Sequence, residues 1–126
     1  MNFNQIDHIA IIVSNLAKAK EFYVTKLGFE IVREVSRSDK QDVMLDVKNG
    51  TVKLEIFVKA DAPARPNYPE ATGLRHLAFK VENIEAYVAE LDSKGIKCEP
   101  IRTDDFTGEK MTFFFDPEGL PLELHE

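Results

Sequence analysis

The sequence of 126 residues has little cysteine, no tryptophan and no long apolar run. Its one cysteine, Cys98, cannot form a disulfide within the chain, which is typical of a reducing compartment. No segment approaches the roughly 18 apolar residues that a membrane span needs. Polar residues interrupt the N-terminus where a signal peptide would be apolar. We therefore expect a cytoplasmic protein with no membrane partner.

Positive charge is also scarce, because 16 Lys and Arg face 22 Asp and Glu, which gives a net charge of −6. Nucleic-acid binding depends on clustered Lys and Arg, and no such cluster is evident, so we expect no nucleic-acid partner. A hydrophobic content of 44% with nine Phe is typical of a globular chain. The length suits one domain, or two half-domains that share a core.

An internal repeat selects the second arrangement. The segment DHIAIIVSNL near the N-terminus is followed later by the similar segment RHLAFKVENI. His76 lies 68 residues after His8, 76 minus 8, and the same offset pairs Glu55 with Glu123. Two histidines and two carboxylates therefore occupy equivalent places in two copies of one module, which fixes the architecture before local signals are considered.

Each copy has the same predicted order of elements, β-α-β-β-β. We predict a single domain over residues 1–126, with a first module at 6–58, a proline-rich connector at 59–74 and a second module at 75–126. The predicted class is α+β, in which the two modules form a cupped mixed sheet with the helices outside. The predicted strands are 8–13, 29–35, 43–47, 51–58, 76–81, 97–101, 111–115 and 120–125. Amphipathic helices capped by Asn15 and Asn83 follow the first strand of each module.

The polar residues of the repeat share one face of each module. Side chains alternate along a strand, so the histidine and glutamate point away from the apolar residues that the helix covers. Carboxylates inside a cavity repel unless they are paired, whereas a divalent cation with two imidazoles and two carboxylates has no net charge. Mixed nitrogen and oxygen ligands favour Zn, Ni, Co, Fe or Mn. The predicted ligands of one divalent transition metal are His8, Glu55, His76 and Glu123.

Taken singly, these residues have ordinary explanations, since a lone strand histidine is more often structural and a lone glutamate usually lies on a solvated face. Their matched positions in both copies favour the metal site. Lys53 and Lys80 share faces with the predicted ligands and are candidates for binding an anionic substrate group, although a lysine at a rim often only extends into solvent. His125 is expected to be exposed. Cys98 follows a helix C-terminus, which raises the pKa of a thiol and disfavours a nucleophile.

Four stretches, DHIAIIVSNLAKAKEFYVTKLGFE, VKLEIF, GLRHLAFKVENI and FFFDPEGLPLELHE, are distributed along the chain between residues 7 and 126. Together they resemble the vicinal oxygen chelate superfamily, the glyoxalase, bleomycin-resistance and dioxygenase group, and most of all its small bacterial glyoxalase I-like proteins. The resemblance implies that the four predicted ligands match those of glyoxalase I. It also implies that the metal binds two adjacent substrate oxygens while a glutamate moves a proton. We assign this proton transfer to Glu123, because a ligand near the chain end can leave the metal more easily than Glu55, which lies in an interior run beside Lys53.

The implied function is that of a metal-dependent lyase or isomerase of the lactoylglutathione lyase type, acting on a small vicinal-oxygen substrate. One alternative is a non-enzymatic binding protein of the bleomycin-resistance type, which needs no metal. A thiol transferase or a dioxygenase of the same superfamily would use three protein ligands, and the fourth candidate argues against both. A homodimer is expected, because each module exposes a sheet edge.

Overall fold

The computed structural model describes residues 1–126, which form two compact units, Met1–Pro63 and Ala64–Glu126. Each unit contains one four-stranded mixed sheet and one helical segment, in the order β-α-β-β-β. The predicted α+β class and the two modules are confirmed. No helix is long and apolar enough to cross a membrane.

The first unit is built on a sheet in which the first and last strands are neighbours. Its elements are β1 (Ile9–Val13), α1 (Leu16–Ala19) with a π-helical continuation (Lys20–Lys26), β2 (Glu30–Arg37), β3 (Asp42–Asn49) and β4 (Val52–Val58). The strand order is β1-β4-β3-β2, and β1 runs parallel to β4 while the other pairs are antiparallel. Alternate residues are buried in the core, as an amphipathic strand requires. These are Ile11, Val13, Leu54, Ile56 and Val58.

The helix of the first unit differs from the regular amphipathic helix that we expected. Asn15 caps it as predicted, since its Oδ1 accepts from Lys18 N at 2.9 Å. From Lys20 onward the turns widen, and Leu27 N donates to the carbonyl five residues back, Phe22 O, at 2.9 Å, which is the π-helical pattern. Apolar spacing alone does not separate the two, because the buried residues fit either helix.

The second unit repeats this arrangement. Its elements are β5 (Leu77–Lys80), α2 (Ile84–Ser93), β6 (Arg102–Thr103), β7 (Lys110–Phe115) and β8 (Pro121–His125). The strand order is β5-β8-β7-β6, with β5 parallel to β8. Asn83 caps α2 as predicted, because its Oδ1 accepts from Ala86 N at 3.1 Å. In each unit, the histidine therefore precedes a strand that lies directly beside the strand of the glutamate.

The predicted strand at 97–101 is wrong, because β6 contains only Arg102–Thr103. The segment before it makes one backbone bond to β7, in which Glu99 N donates to Phe113 O at 2.8 Å, and Thr112 Oγ1 of β7 donates to Glu99 O at 2.6 Å. Pro100 has no N–H to continue the ladder, which explains why extended backbone there does not become a paired strand. The predicted hairpin after β3 is present, with Asn49 paired to Val52 and a positive φ of 58° at Gly50.

Candidate metal centre

The first histidine and glutamate face each other on one sheet. His8 directly precedes β1, Glu55 lies in β4, and the parallel register places Ala10 beside Glu55. His8 Nε2 is 3.8 Å from Glu55 Oε2, which is longer than a hydrogen bond. The side chains are 44% and 24% exposed, so this pair is open to solvent on one side. The nitrogen and oxygen thus approach each other without bonding.

Asp7 holds the other nitrogen of the His8 ring. Its Oδ2 accepts from His8 Nδ1 at 2.7 Å, which leaves Nε2 directed at Glu55. The Asp7 hydrogen bond is the main cause that raises the pKa of His8, with a smaller contribution from the Glu55 charge. A carboxylate on the outer nitrogen is the usual support of a metal-binding histidine, because it fixes the ring and its tautomer. Asp7 was not among the residues predicted from the sequence, although its position next to His8 is a signal that could have identified it.

The second pair has the same geometry in a more enclosed setting. His76 directly precedes β5, and Glu123 lies in β8, beside Ala78. His76 Nε2 is 4.0 Å from Glu123 Oε1, and the side chains are 25% and 9% exposed. His76 Nδ1 is buried and has no hydrogen-bond partner. The second histidine therefore lacks the carboxylate support that Asp7 gives to the first.

His125 is part of this second pair's surroundings, contrary to the expectation that it would be exposed. Only 23% of its side chain is exposed, and its Nδ1 lies 3.3 Å from Glu123 Oε2. Its Nε2 bonds Glu109 Oε2 at 2.7 Å, and this contact is the main cause that raises the pKa of His125. A chain of polar contacts therefore runs from Glu123 through His125 to Glu109, whose side chain is 47% exposed.

Both pairs fit the chemistry of a transition-metal ligand set. Imidazole nitrogens and carboxylate oxygens bind such ions at about 2.0–2.2 Å, so two ligands of one ion are at most about 4.4 Å apart. The separations of 3.8 and 4.0 Å lie inside that limit. No group of three or more His, Cys, Asp or Glu side chains is placed to hold a metal ion. The structure brings the predicted ligands together as two pairs, and that all four share one ion stays a prediction.

The two modules differ in the residue beside the glutamate. In the first sheet Asp46 is paired with Glu55, and its Oδ2 accepts from Arg33 Nη2 at 2.7 Å. In the second sheet the equivalent neighbour of Glu123 is Phe113. The ring of Phe113 meets the His76 ring edge to face, with centroids 5.1 Å apart. The first module thus places a charged residue beside Glu55, and the second places an aromatic ring beside Glu123.

The remaining predicted residues lie outside these contacts. Lys53 and Lys80 are exposed, on the same sheet faces as Glu55 and Glu123, so their role in substrate binding stays a prediction. Cys98 is half-buried, and burial is the main cause that raises the pKa of its thiol. The expected direction is correct, but the cause is desolvation rather than the helix dipole.

Comparison with known proteins points to one family. Residues 5–124 match the family described as Glyoxalase/Bleomycin resistance protein/Dioxygenase superfamily. The crystal structure of a glyoxalase family protein from Enterococcus faecalis is similar with a TM-score of 0.98 and 62% identity, over 100% of both chains.

Two further relatives are similar over nearly the whole chain. The uncharacterized protein YwkD of Bacillus subtilis (strain 168) is 51% identical over 127 residues, which cover 100% of this chain and 99% of YwkD. The mitochondrial methylmalonyl-CoA epimerase of Homo sapiens is 30% identical over 132 residues, which cover 99% of this chain and 75% of the enzyme. Both matches include the two modules rather than one.

Proposed function

Because the chain belongs to the glyoxalase, bleomycin resistance protein and dioxygenase superfamily, we propose that it is a metal-dependent lyase or isomerase of the lactoylglutathione lyase type. Its substrate would be a small molecule with two adjacent oxygens. The observation that carries this proposal is the pair of equivalent histidine–glutamate sets, with nitrogen and oxygen 3.8 and 4.0 Å apart and not hydrogen-bonded. An epimerase removes and returns a proton at carbon, so the similarity to methylmalonyl-CoA epimerase supports the same class of proton transfer.

We propose that one divalent transition metal, Zn, Ni, Co, Mn or Fe, is held by His8, Glu55, His76 and Glu123. Two neutral imidazoles and two carboxylates balance the charge of such an ion. When bound, the ion would supply Lewis-acid polarisation of the substrate oxygens. Asp7 keeps the Nε2 atom of His8 directed at the ligand position by holding Nδ1 at 2.7 Å.

Glu123 is our choice for the residue that moves the proton, but on different grounds from those that the sequence suggested. A chain end was expected to leave Glu123 loosely held, whereas the residue is 7% exposed and β8 is paired on both sides. The structural reason to choose Glu123 for proton transfer is that His125 lies beside it. His125 Nδ1 lies 3.3 Å from Glu123 Oε2 and His125 Nε2 lies 2.7 Å from Glu109, so a proton received by Glu123 has a path to an exposed carboxylate. Glu55 has no histidine beyond His8 beside it.

The first experiment measures the metal. Protein purified without added metal is analysed for its elements and melted with Ni²⁺, Zn²⁺ or Mn²⁺ and after chelation. We expect about one ion per chain, and stabilisation of about 2.7 kcal/mol at a free metal concentration 100 times the Kd, since binding to the folded state adds RT ln(1 + [L]/Kd). Glu55→Gln should lose most of this effect, whereas Glu82→Gln, a matched change at an exposed residue, should keep it. A melting temperature unchanged by chelator and by all three metals would favour the bleomycin-resistance type of binding protein.

The second experiment separates the roles of the two carboxylates. Glu123→Gln keeps the size and one oxygen donor but removes the base, so we expect turnover to fall by roughly 10²–10⁴ while most metal affinity remains. Glu55→Gln should weaken metal binding at least as much as Glu123→Gln does. Turnover of Glu123→Gln equal to that of the wild type at full metal occupancy would remove the proton-transfer role from this residue.

A further inference from the structure

We propose that the second module contains a subsite for a carboxylate group, built on Arg102 and opening beside His76. The proposal rests on the proposed function, because the subsite would bind the charged end of the substrate whose oxygens meet the metal. Its location is a cavity of about 260 Å³ within the second unit, lined by His76, Arg102 and Phe113 and by residues of the connector. A volume of this size suits a compact ligand of few heavy atoms.

The charge lining this cavity is positive, unlike that of the chain as a whole. Three arginines and two glutamates line it, namely Arg65, Arg75, Arg102, Glu70 and Glu99, which leaves one positive charge uncompensated. Arg75 is paired with Glu70. The hydrogen bonds of Arg65 hold the connector together, since Arg65 donates to Asn67 Oδ1 and to the carbonyls of Leu74 and Arg75. Arg102 is therefore the arginine of this lining whose guanidinium makes no hydrogen bond, since Glu99 stays 3.8 Å away.

Arg102 has its hydrogen-bonding capacity free. Its closest carboxylate oxygen is Glu99 Oε1, 3.8 Å from Nη1, which is an ion pair without a hydrogen bond. The guanidinium lies over the ring of Phe113, with its carbon 5.5 Å from the ring centroid. A guanidinium placed over an aromatic face keeps its N–H groups available, and arginine can bind a carboxylate through two bonds.

The first module shows why this arginine is unusual. There Arg33 is neutralised by Asp46, the residue beside Glu55. The equivalent position beside Glu123 is Phe113, so the second module replaces the neutralising carboxylate by the ring on which Arg102 lies. The first module shows that an arginine near this position can be neutralised by a carboxylate, as Arg33 is by Asp46. The substitution of a ring for a carboxylate leaves the cation free for a ligand.

Phe113 also places this cation next to the candidate ligand. The same ring that carries Arg102 meets the His76 ring at 5.1 Å between centroids, so a carboxylate on Arg102 would lie beside His76. A single uncompensated charge matches a monoanion, whereas a phosphate dianion would leave excess negative charge near Glu99. Lys80, a predicted candidate for binding an anionic substrate group, does not line the cavity.

The test uses metal-free protein, so that it does not depend on the metal. Metal is removed by a chelator that is then dialysed away, because the chelator itself carries carboxylates. Propionate, its neutral isostere propionamide, and inorganic phosphate are titrated separately, and the Arg102 Nε–H signal is followed by proton–nitrogen NMR. We expect saturable shifts with propionate, none with propionamide and weaker binding of phosphate. Arg102→Gln should weaken propionate binding about tenfold or more, and Arg102→Lys by less.

Lys97→Gln is the matched control, because it removes one positive charge at a side chain that is 83% exposed. It should change propionate binding less than twofold, and all variants should melt near the wild-type temperature. The subsite is overturned if propionamide binds like propionate, if Arg102→Gln binds propionate as the wild type does, or if Lys97→Gln weakens binding equally. Tighter binding of phosphate than of propionate would overturn the carboxylate class. Failure of the metal proposal would leave these titrations unchanged, and failure of the subsite would leave metal binding unchanged.

Discussion

Removal of Asp7 should weaken metal binding without unfolding the protein. The Asp7 side chain is 83% exposed, so its loss removes little packing. What it removes is the 2.7 Å bond to His8 Nδ1, which orients Nε2 toward Glu55. Carboxylates that support metal-binding histidines are typically worth about 10–100-fold in metal affinity. Because water competes with an exposed carboxylate, we expect the lower end of that range, about tenfold, for Asp7→Ala.

The pH of the measurement decides whether the effect can be observed. Asp7 raises the pKa of His8, so in acid it also favours the proton that competes with the metal. Loss of Asp7 lowers the pKa of His8 toward its ordinary value and reduces that competition, which partly masks the loss of orientation. Raising the pH reduces the competing protonation in both proteins, so the difference in orientation then accounts for more of the difference in affinity.

The assay is therefore calorimetric titration of Ni²⁺ at pH 8, together with an NMR titration of His8 in the metal-free protein. Asp105→Ala, the same substitution at an exposed acidic residue in a loop, controls for net charge and should bind Ni²⁺ like the wild type. Wild-type Ni²⁺ affinity in Asp7→Ala would refute the assignment of His8 as a ligand supported by Asp7. An unchanged pKa of His8 would refute the hydrogen bond itself.

Three further predictions concern the fold. Leu122→Ala, at a fully buried position of β8, should lower the free energy of unfolding by about 3 kcal/mol in urea titrations, and a loss below about 1 kcal/mol would contradict the packing. Asp42 accepts hydrogen bonds from Arg37 and Lys59, which hold its pKa far below the usual range. Its stabilising effect is therefore present above the ordinary carboxyl pKa, near 4, and is lost progressively below it. Asp42→Asn should lower the urea midpoint at pH 7 and flatten its fall below pH 4; parallel pH profiles would contradict this. Light scattering should give a mass twice 14.3 kDa, and the mass of one chain would contradict the homodimer.

The architecture was predictable because apolar residues alternate along each strand and the whole module is repeated along the chain. A strand that buries one face must alternate, and a register shift of one residue would reverse every side chain, so alternation identifies strands and also says which residues share a face. The repeat then placed His8 with Glu55 and His76 with Glu123 in equivalent positions. Both pairings are present in the sheets, with β1 beside β4 and β5 beside β8.

Features that depend on single contacts were not predictable in this way. The π-helical turns at Lys20–Lys26 leave the same apolar residues buried as an α-helix would. The prediction of a strand at 97–101 was wrong because Pro100 lacks the N–H that would continue the hydrogen bonding. Whether the Arg102 guanidinium is hydrogen-bonded depends on how closely a carboxylate approaches it. That distance, 3.8 Å from Nη1 to Glu99 Oε1, cannot be read from the sequence. His125 was misjudged because nearness to the chain end says nothing about what packs beside it.

The two halves of the repeat have diverged in a way that suggests different tasks. In the first module, carboxylates surround the pair, since Asp7 supports His8 and Asp46 lies beside Glu55. At the positions equivalent to these two aspartates, the second module has Arg75 and Phe113. Negative charge around imidazole and carboxylate ligands favours holding a cation. An aromatic ring with a free guanidinium favours holding an organic anion. These differences are therefore the ones expected if the first half chiefly retains the metal and the second, with Phe113 and the Arg102 guanidinium, chiefly orients the substrate.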